Sequence, residues 1–216
     1  MHRITWWHRW GRTGVIAAVS GAIAYFAFGV HREVPLLDWF DLGIHEAGHL
    51  LGAWLPELAM FMAGSFAQVA FPLAMAAYFG LRRRDPAAAG LCLVWAGASA
   101  WDVSVYAADA VSQRLPLVGG GEHDWAYILG HFDALHLTER IASGIEAGGM
   151  ALAFTGFSLL VWAVPAGIRL RSPVPVVTPP RRAVLAGEDP WAAASQLPFR
   201  HQGPRPQGAG SSSRVG

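Results

Sequence analysis

The chain has 216 residues, of which 53% are hydrophobic and 14% are charged. This balance excludes a disordered polar chain, and it is apolar-rich even for a soluble enzyme. The 16 basic residues are all Arg, and the formal net charge is only +1. We expect no nucleic-acid partner, because non-specific binding to phosphates needs a strong positive charge.

Long apolar blocks indicate that the bilayer is the solvent for most of the chain. A hydrocarbon core of about 30 Å needs a helix of about 20 residues. Four stretches meet this length: Thr13 to Val30, Leu58 to Gly80, Ala87 to Val111 and Ile141 to Val164. A fifth, Asp41 to Leu55, would rise only about 22 Å, which favours a re-entrant or interfacial helix. The sequence predicts an all-α, polytopic membrane helix bundle of about four spanning helices plus short helices.

Arginine clusters predict the orientation of this bundle, because short loops rich in positive charge stay on the cytoplasmic side. All three clusters are cytoplasmic if the Asp41 to Leu55 segment dips into the membrane and returns. A full crossing of that segment would instead place the second cluster outside. We expect the first arrangement, with both termini cytoplasmic and the protein in the plasma (inner) membrane. The clusters are Arg3, Arg9 and Arg12, then Arg82, Arg83 and Arg84, and finally Arg169, Arg171, Arg181 and Arg182.

The two ends of the chain differ in character. The first apolar run continues past Ala22-Ile23-Ala24, a possible signal-peptide cleavage triplet, so we expect an uncleaved anchor. From Ser172 onward the chain is rich in Pro, Arg, Gly and Ser and shows no helical apolar period. We therefore expect a membrane helix bundle over residues 1–171 and a disordered tail over residues 172–216.

The five residues His45-Glu46-Ala47-Gly48-His49 form the most informative motif in the chain. On a helix, two His four residues apart can both offer a ring nitrogen to one tetrahedral metal ion. Glu46 can then reach a water molecule on that ion and act as a base. Ionisable groups at membrane depth are costly and usually functional. The competing interpretation is that both His hydrogen-bond a loop at the membrane interface.

This motif resembles the first motif of the intramembrane zinc metallopeptidases of the site-2 protease type, in which Gly often precedes the second His, as Gly48 does here. The resemblance covers this helix and the polytopic character of the chain. It implies that His45 and His49 bind Zn²⁺ and that Glu46 activates water. In that family a later Asp-Gly motif supplies the third ligand, whereas this sequence contains no Asp-Gly pair.

A third ligand must come from elsewhere, because a catalytic zinc has three protein ligands and one open position. The best source is a Gly-rich loop that ends in Glu122, His123 and Asp124 and precedes a helical stretch from Trp125 to Leu137. The order of preference is Asp124 and then His123. Asp124 can alternatively serve only as the N-cap of the following helix.

Three further acidic residues lie inside predicted spans. Asp102 and Asp109 are seven residues apart on one helical face, where they could orient His45 or His49, bind the ion or hydrogen-bond neighbouring helices. Glu146 is the next candidate ligand, although a membrane-end acidic group is the simpler interpretation. Its neighbours Gly144 and Gly148 have the four-residue spacing that allows close helix packing.

The sequence favours a membrane-embedded zinc metallopeptidase. The resemblance implies a membrane-protein or juxtamembrane peptide substrate, which Glu46 would help to hydrolyse. The alternative is a non-hydrolytic membrane carrier for metal ions or protons. In that case the side chains forming a relay across the bundle would be His45, His49, Asp102, Asp109 and Glu146.

Overall fold

The computed structural model describes residues 2–118 and 121–169, and the side chains of residues 11–118 and 121–163. The tail expected over residues 172–216 lies outside this part. All regular structure in the described residues is helical. The α-helices are α1 (His2–Ala24), α2 (Leu37–Gly52), α3 (Glu57–Ala77), α4 (Pro86–Ala108), α5 (Asp124–His131) and α6 (Thr138–Arg169). Single π-helical turns, Tyr25–Gly29 and Tyr78–Arg82, extend α1 and α3, and a 3-10 turn, Leu135–Leu137, precedes α6.

Four helical segments are long and apolar enough to cross a membrane: Gly11–Gly29, Glu57–Arg82, Pro86–Ala108 and Leu135–Ala163. This confirms the predicted polytopic helix bundle and indicates an integral membrane protein. The third span is shorter than the sequence predicts. It ends at Ala108 because the next carboxylate, that of Asp109, accepts hydrogen bonds from residues 112, 114 and 115 and draws the chain into a loop.

Glycines bring α4 and α6 into backbone contact along their length. A Cβ added at Gly90 would lie 2.6 Å from the carbonyl oxygen of Gly156, and one at Gly97 would lie 2.5 Å from that of Gly149. The pairing runs in opposite directions along the two helices, which are therefore antiparallel. Close approach of this kind is how small residues hold membrane helices together.

The glycines that make this contact are not the pair that the sequence pattern favours. Gly144 and Gly148 have no neighbouring atom within 4 Å of a built Cβ. Within the described residues, the close approach that their spacing allows is not made, because α6 turns Gly149 and Gly156, two helical turns apart, toward α4. Four-residue spacing permits close packing but does not say which face of the helix is covered.

One end of the bundle collects the start of α1, the start of α4 and the end of α6. The guanidinium of Arg12 forms an ion pair with the carboxylate of Asp85, at 2.5 Å. Ala87, Leu160 and Ala163 form a buried apolar cluster with Ile16 packed against it. The helix ends that carry the predicted arginine clusters therefore share this end of the bundle.

Helix α2 starts beside the middle of α4 and is not one of the four candidate spans. The buried carboxylate of Asp41 accepts hydrogen bonds from Trp95 Nε1 at 2.8 Å and from Ser99 Oγ at 2.7 Å. From there α2 runs to a short turn and packs antiparallel on α3, where a Cβ at Gly48 would lie 2.5 Å from the Ala63 oxygen. With 16 residues, α2 is shorter than each of the four candidate spans, as expected for a re-entrant or interfacial helix.

The helix predicted over Trp125 to Leu137 is interrupted. Helix α5 begins one residue earlier, at Asp124, and ends at His131. Asp133 then adopts a left-handed backbone, with φ of 52°, and the backbone N–H of Ala134 donates to the Leu129 oxygen. Apolar residues such as Phe132 and Leu135 continue across this turn although both are exposed, so the apolar pattern of the sequence did not reveal the break.

Candidate metal centre

Three potential metal-ligating atoms from two distant parts of the chain converge at one point. Asp124 Oδ2 lies 2.9 Å from His45 Nε2 and 3.0 Å from His49 Nε2. The two imidazole Nε2 atoms are 3.0 Å apart. His45 and Asp124 are buried and His49 is half-buried. These residues form the one group of three or more His, Cys, Asp or Glu with metal-site geometry among the described residues.

Local structure explains why these side chains meet. His45 and His49 are one helical turn apart on the face of α2 that packs on α3. Asp124 is the first residue of α5, where the positive end of the helix dipole favours a carboxylate. The backbone N–H of Asp124 donates to the hydroxyl oxygen of Tyr106 at 3.2 Å, which ties α5 to the last turn of α4.

Each imidazole is oriented by an oxygen behind it. His45 Nδ1 lies 3.1 Å from Gln68 Oε1, and His49 Nδ1 lies 2.9 Å from the backbone oxygen of Met60. Since a carbonyl oxygen only accepts hydrogen bonds, both Nδ1 atoms carry the proton. In a neutral ring this leaves the Nε2 lone pair directed to the convergence point, which is the tautomer that a metal ion requires.

The orientation of the Gln68 amide is itself fixed. Its Nε2 donates to Asp102 Oδ2 at 2.6 Å, which leaves the amide oxygen for His45. Gln68 is only 2% exposed, so water does not compete for either contact. Asp102 thus acts on His45 through an intervening amide rather than by direct contact.

The dimensions of this centre fit a tetrahedral metal ion. Ligands about 2.0–2.1 Å from a zinc ion in a tetrahedron stand roughly 3.3 Å from each other. The separations of 2.9 to 3.0 Å are close to that value. Two unprotonated nitrogens and a carboxylate oxygen at this distance repel one another unless a proton or a cation lies between them. Two imidazoles and one carboxylate also form a donor set that Zn²⁺ accepts.

Gly64 of α3 keeps the space beside the ligand atoms free. A Cβ at this position would contact His49 Nε2 and would lie 2.6 Å from His45 Nε2. Any larger residue would therefore push a methyl group against the two nitrogens that face the centre.

Glu46 directly follows His45 in α2, and its side chain is exposed. The Glu46 carboxylate is therefore available to solvent and to a substrate. The two His of the motif, in contrast, are held by contacts with Gln68 and Met60.

His123, the second candidate ligand, is not part of the converging group. Its Nδ1 accepts the backbone N–H of Ala126 at 3.3 Å, so it caps α5 in the position the sequence had offered to Asp124. Its Nε2 faces Asp109 Oδ2 at 3.6 Å. Burial lowers the pKa of His123 in spite of the nearby carboxylates, so a neutral ring fills this position.

Asp109 and Glu146 also lie outside the converging group of His45, His49 and Asp124. Burial alone would raise the pKa of Asp109, but hydrogen bonds from Arg114 N, Ser112 Oγ and Leu115 N lower it below its usual value. Asp109 thus anchors the loop that leads toward α5. The Glu146 carboxylate lies 3.8 Å from the ring of His31, at a different place in the bundle.

The chain has no counterpart in the comparisons with known proteins: no family model, no curated protein and no solved structure matches it.

Proposed function

We propose that the protein is a membrane-embedded metallopeptidase that uses Zn²⁺ and is similar in chemistry to the site-2 protease type. The observation that carries this proposal is the convergence of His45 Nε2, His49 Nε2 and Asp124 Oδ2 with both Nδ1 protons directed away. Asp124 takes the place that the Asp of an Asp-Gly motif has in that family. The proposed substrate is a membrane or juxtamembrane peptide.

A bound divalent metal would supply two effects, a lowered pKa for a water molecule and polarisation of a carbonyl group. Glu46 accepts a proton from the water as its oxygen attacks the peptide carbonyl carbon. Glu46 then returns this proton to the leaving amine nitrogen as the C–N bond breaks. Its exposure leaves room for the peptide, and its place directly after His45 in α2 supports this role.

The centre lies at the end of the bundle away from the Arg12–Asp85 ion pair. Tyr106 and Asp124, which mark the centre, are at the end of α4 and beyond it, whereas Asp85 precedes α4. If the arginine-rich end is cytoplasmic, as the positive-inside rule indicates, the active site opens on the extracytoplasmic side. We propose this orientation, with both termini cytoplasmic in the inner membrane.

The carrier alternative receives less support. It requires His45, His49, Asp102, Asp109 and Glu146 to form one relay across the bundle. Glu146 is instead paired with His31, and Asp109 is occupied by its own loop. A carrier also gives no role to the exposed carboxylate that follows the first His of the motif.

Metal content and one conservative variant test the proposed function. We expect the purified wild-type protein to hold about one zinc per chain, and His45→Ala or His49→Ala to lose it. Glu46→Gln should retain the metal and lose hydrolysis of a quenched fluorescent transmembrane peptide by at least about 100-fold, because the base is removed. A wild-type protein that binds no zinc would refute the proposal. Zinc flux into vesicles that persists in Glu46→Gln would favour a carrier instead.

A further inference from the structure

Tyr106 is an aromatic residue that packs against the candidate metal centre. It lies in the last turn of α4 and is half-buried. Its ring packs edge-on against His45, with ring centroids 5.8 Å apart, and lies 4.3 Å from the ring of His123. The imidazole of His45 in α2 and that of His123, the N-cap of α5, therefore hold the phenol in one position.

The hydrogen bonding of Tyr106 is one-sided. The hydroxyl oxygen accepts the backbone N–H of Asp124 at 3.2 Å. Within the described residues its own O–H proton has no hydrogen-bond acceptor. A hydroxyl that accepts one hydrogen bond becomes a better donor in the next, because each bond polarises the other. The phenol is thus a fixed donor with an unused proton.

The Tyr106 hydroxyl lies beside the candidate metal centre. The hydroxyl contacts the backbone of the same residue whose carboxylate meets the two imidazoles. The phenol ring also packs against His45, the residue that precedes the proposed base Glu46 in α2. A peptide carbonyl approaching the centre beside Glu46 would therefore pass the Tyr106 hydroxyl.

We propose that Tyr106 is a catalytic residue that donates a hydrogen bond to the substrate carbonyl oxygen as negative charge develops on it. The inference rests on the proposed function, because it concerns the same hydrolysis. No proton leaves the phenol: Glu46 carries the proton from water to the amine, and Tyr106 only stabilises the oxyanion. A preorganised donor of this kind acts in the transition state and in complexes with charged oxygen ligands.

Binding of a small anionic ligand tests this role without a known substrate. The probe is acetohydroxamate, whose charged oxygen resembles the developing oxyanion, titrated into Co²⁺-substituted protein and followed by visible absorption. We expect Tyr106→Phe to bind Co²⁺ with wild-type affinity and acetohydroxamate about 10- to 100-fold more weakly, the effect of one hydrogen bond to a charged group. Tyr127→Phe is the matched control, because Tyr127 lies in α5 and its ring stacks on that of Phe61, with ring centroids 4.1 Å apart. The affinity of this control for acetohydroxamate should equal that of wild type.

The outcomes separate this inference from the proposed function. Unchanged acetohydroxamate affinity in Tyr106→Phe would overturn the catalytic role while leaving the metallopeptidase proposal intact. Loss of Co²⁺ from Tyr106→Phe would also overturn it, because the phenol would then serve only to hold Asp124. A wild-type protein that takes up no Co²⁺ would overturn both proposals. Once a peptide substrate is found, kcat should fall by about 100-fold in Tyr106→Phe with little change in KM.

Discussion

At the scale of single residues, two oxygens determine which nitrogen of each imidazole faces the metal centre. The backbone oxygen of Met60 does this for His49, and the Gln68 side chain does it for His45. A backbone carbonyl cannot turn over, but an amide side chain can present either its oxygen or its nitrogen. Asp102 removes that freedom by accepting from the Gln68 nitrogen. The centre therefore depends on a carboxylate that is not one of its ligands.

This dependence predicts a loss of metal affinity on substitution of Asp102. Asp102→Leu should weaken zinc binding about 10- to 100-fold, because the Gln68 amide can then rotate and stop accepting from His45. Asp102→Asn should retain most of the affinity, since its carbonyl oxygen can still accept from Gln68. Competition against a chromogenic zinc chelator measures the affinities. Glu146→Gln is the control, and its affinity should equal that of wild type.

Two results would contradict the role of Gln68 as the link between Asp102 and His45. The first is equal affinity of Asp102→Leu and wild type. The second is equal loss in Asp102→Leu and Asp102→Asn, which would point to the negative charge rather than to the hydrogen bond. Gln68→Leu should match Asp102→Leu, because both changes leave His45 Nδ1 without its oriented acceptor.

The sequence predicts much of this centre, but not all of it. The spacing of His45 and His49 is sufficient to place both rings on one helical face. The choice between His123 and Asp124 depends on which of two neighbours caps α5, and that is decided by contacts with α4 that spacing does not contain. Gln68 carried a signal, because it is the one strongly polar side chain in the second predicted span. Its partners, His45 and Asp102, depend on how α2, α3 and α4 pack together, which the sequence of one helix does not contain.

At the scale of the helices, α2 and α3 approach so closely that the metal centre depends on residues without side chains. Gly48 of α2 meets Ala63, and Gly64 of α3 faces the two imidazoles. Gly48, the glycine within the motif, is therefore explained by packing between the two helices. Gly64 is explained by the space that the two imidazole nitrogens occupy. Of these two glycines, only Gly48 lies within the motif His45-Glu46-Ala47-Gly48-His49.

Gly64→Ala should abolish zinc binding and leave the fold in place. The added methyl group would contact His49 Nε2 and would lie 2.6 Å from His45 Nε2, in the space required at the centre. Zinc content is measured by atomic absorption, and folding by circular dichroism and thermal unfolding in detergent. Gly43→Ala in α2 is the matched control, because a Cβ there has no neighbour within 4 Å. Full zinc content in Gly64→Ala would show that the centre has more room than its geometry indicates.

At the scale of the whole molecule, the four spans follow from hydropathy alone, because the length of an apolar helix is a local property of the sequence. Contacts between helices are not local. The helix faces that meet, the packing of α2 on α3 and α4, and the break after α5 all depend on pairs of residues far apart in the chain. The arginine clusters are local features of the sequence, but they predict the topology of the whole bundle. The shared end of α1, α4 and α6 supports that prediction.

Cysteine labelling tests this topology. In a Cys92→Ala background, which removes the buried native thiol, single cysteines replace the exposed residues Arg83 and Glu122. A membrane-impermeant maleimide added to intact bacterial cells should label position 122 and should reach position 83 only after permeabilisation. The reason is that the arginine-rich end stays in the cytoplasm and the loop before Asp124 lies at the other end. The reverse pattern would place the metal centre on the cytoplasmic side, and labelling of both positions in intact cells would contradict the four-span arrangement.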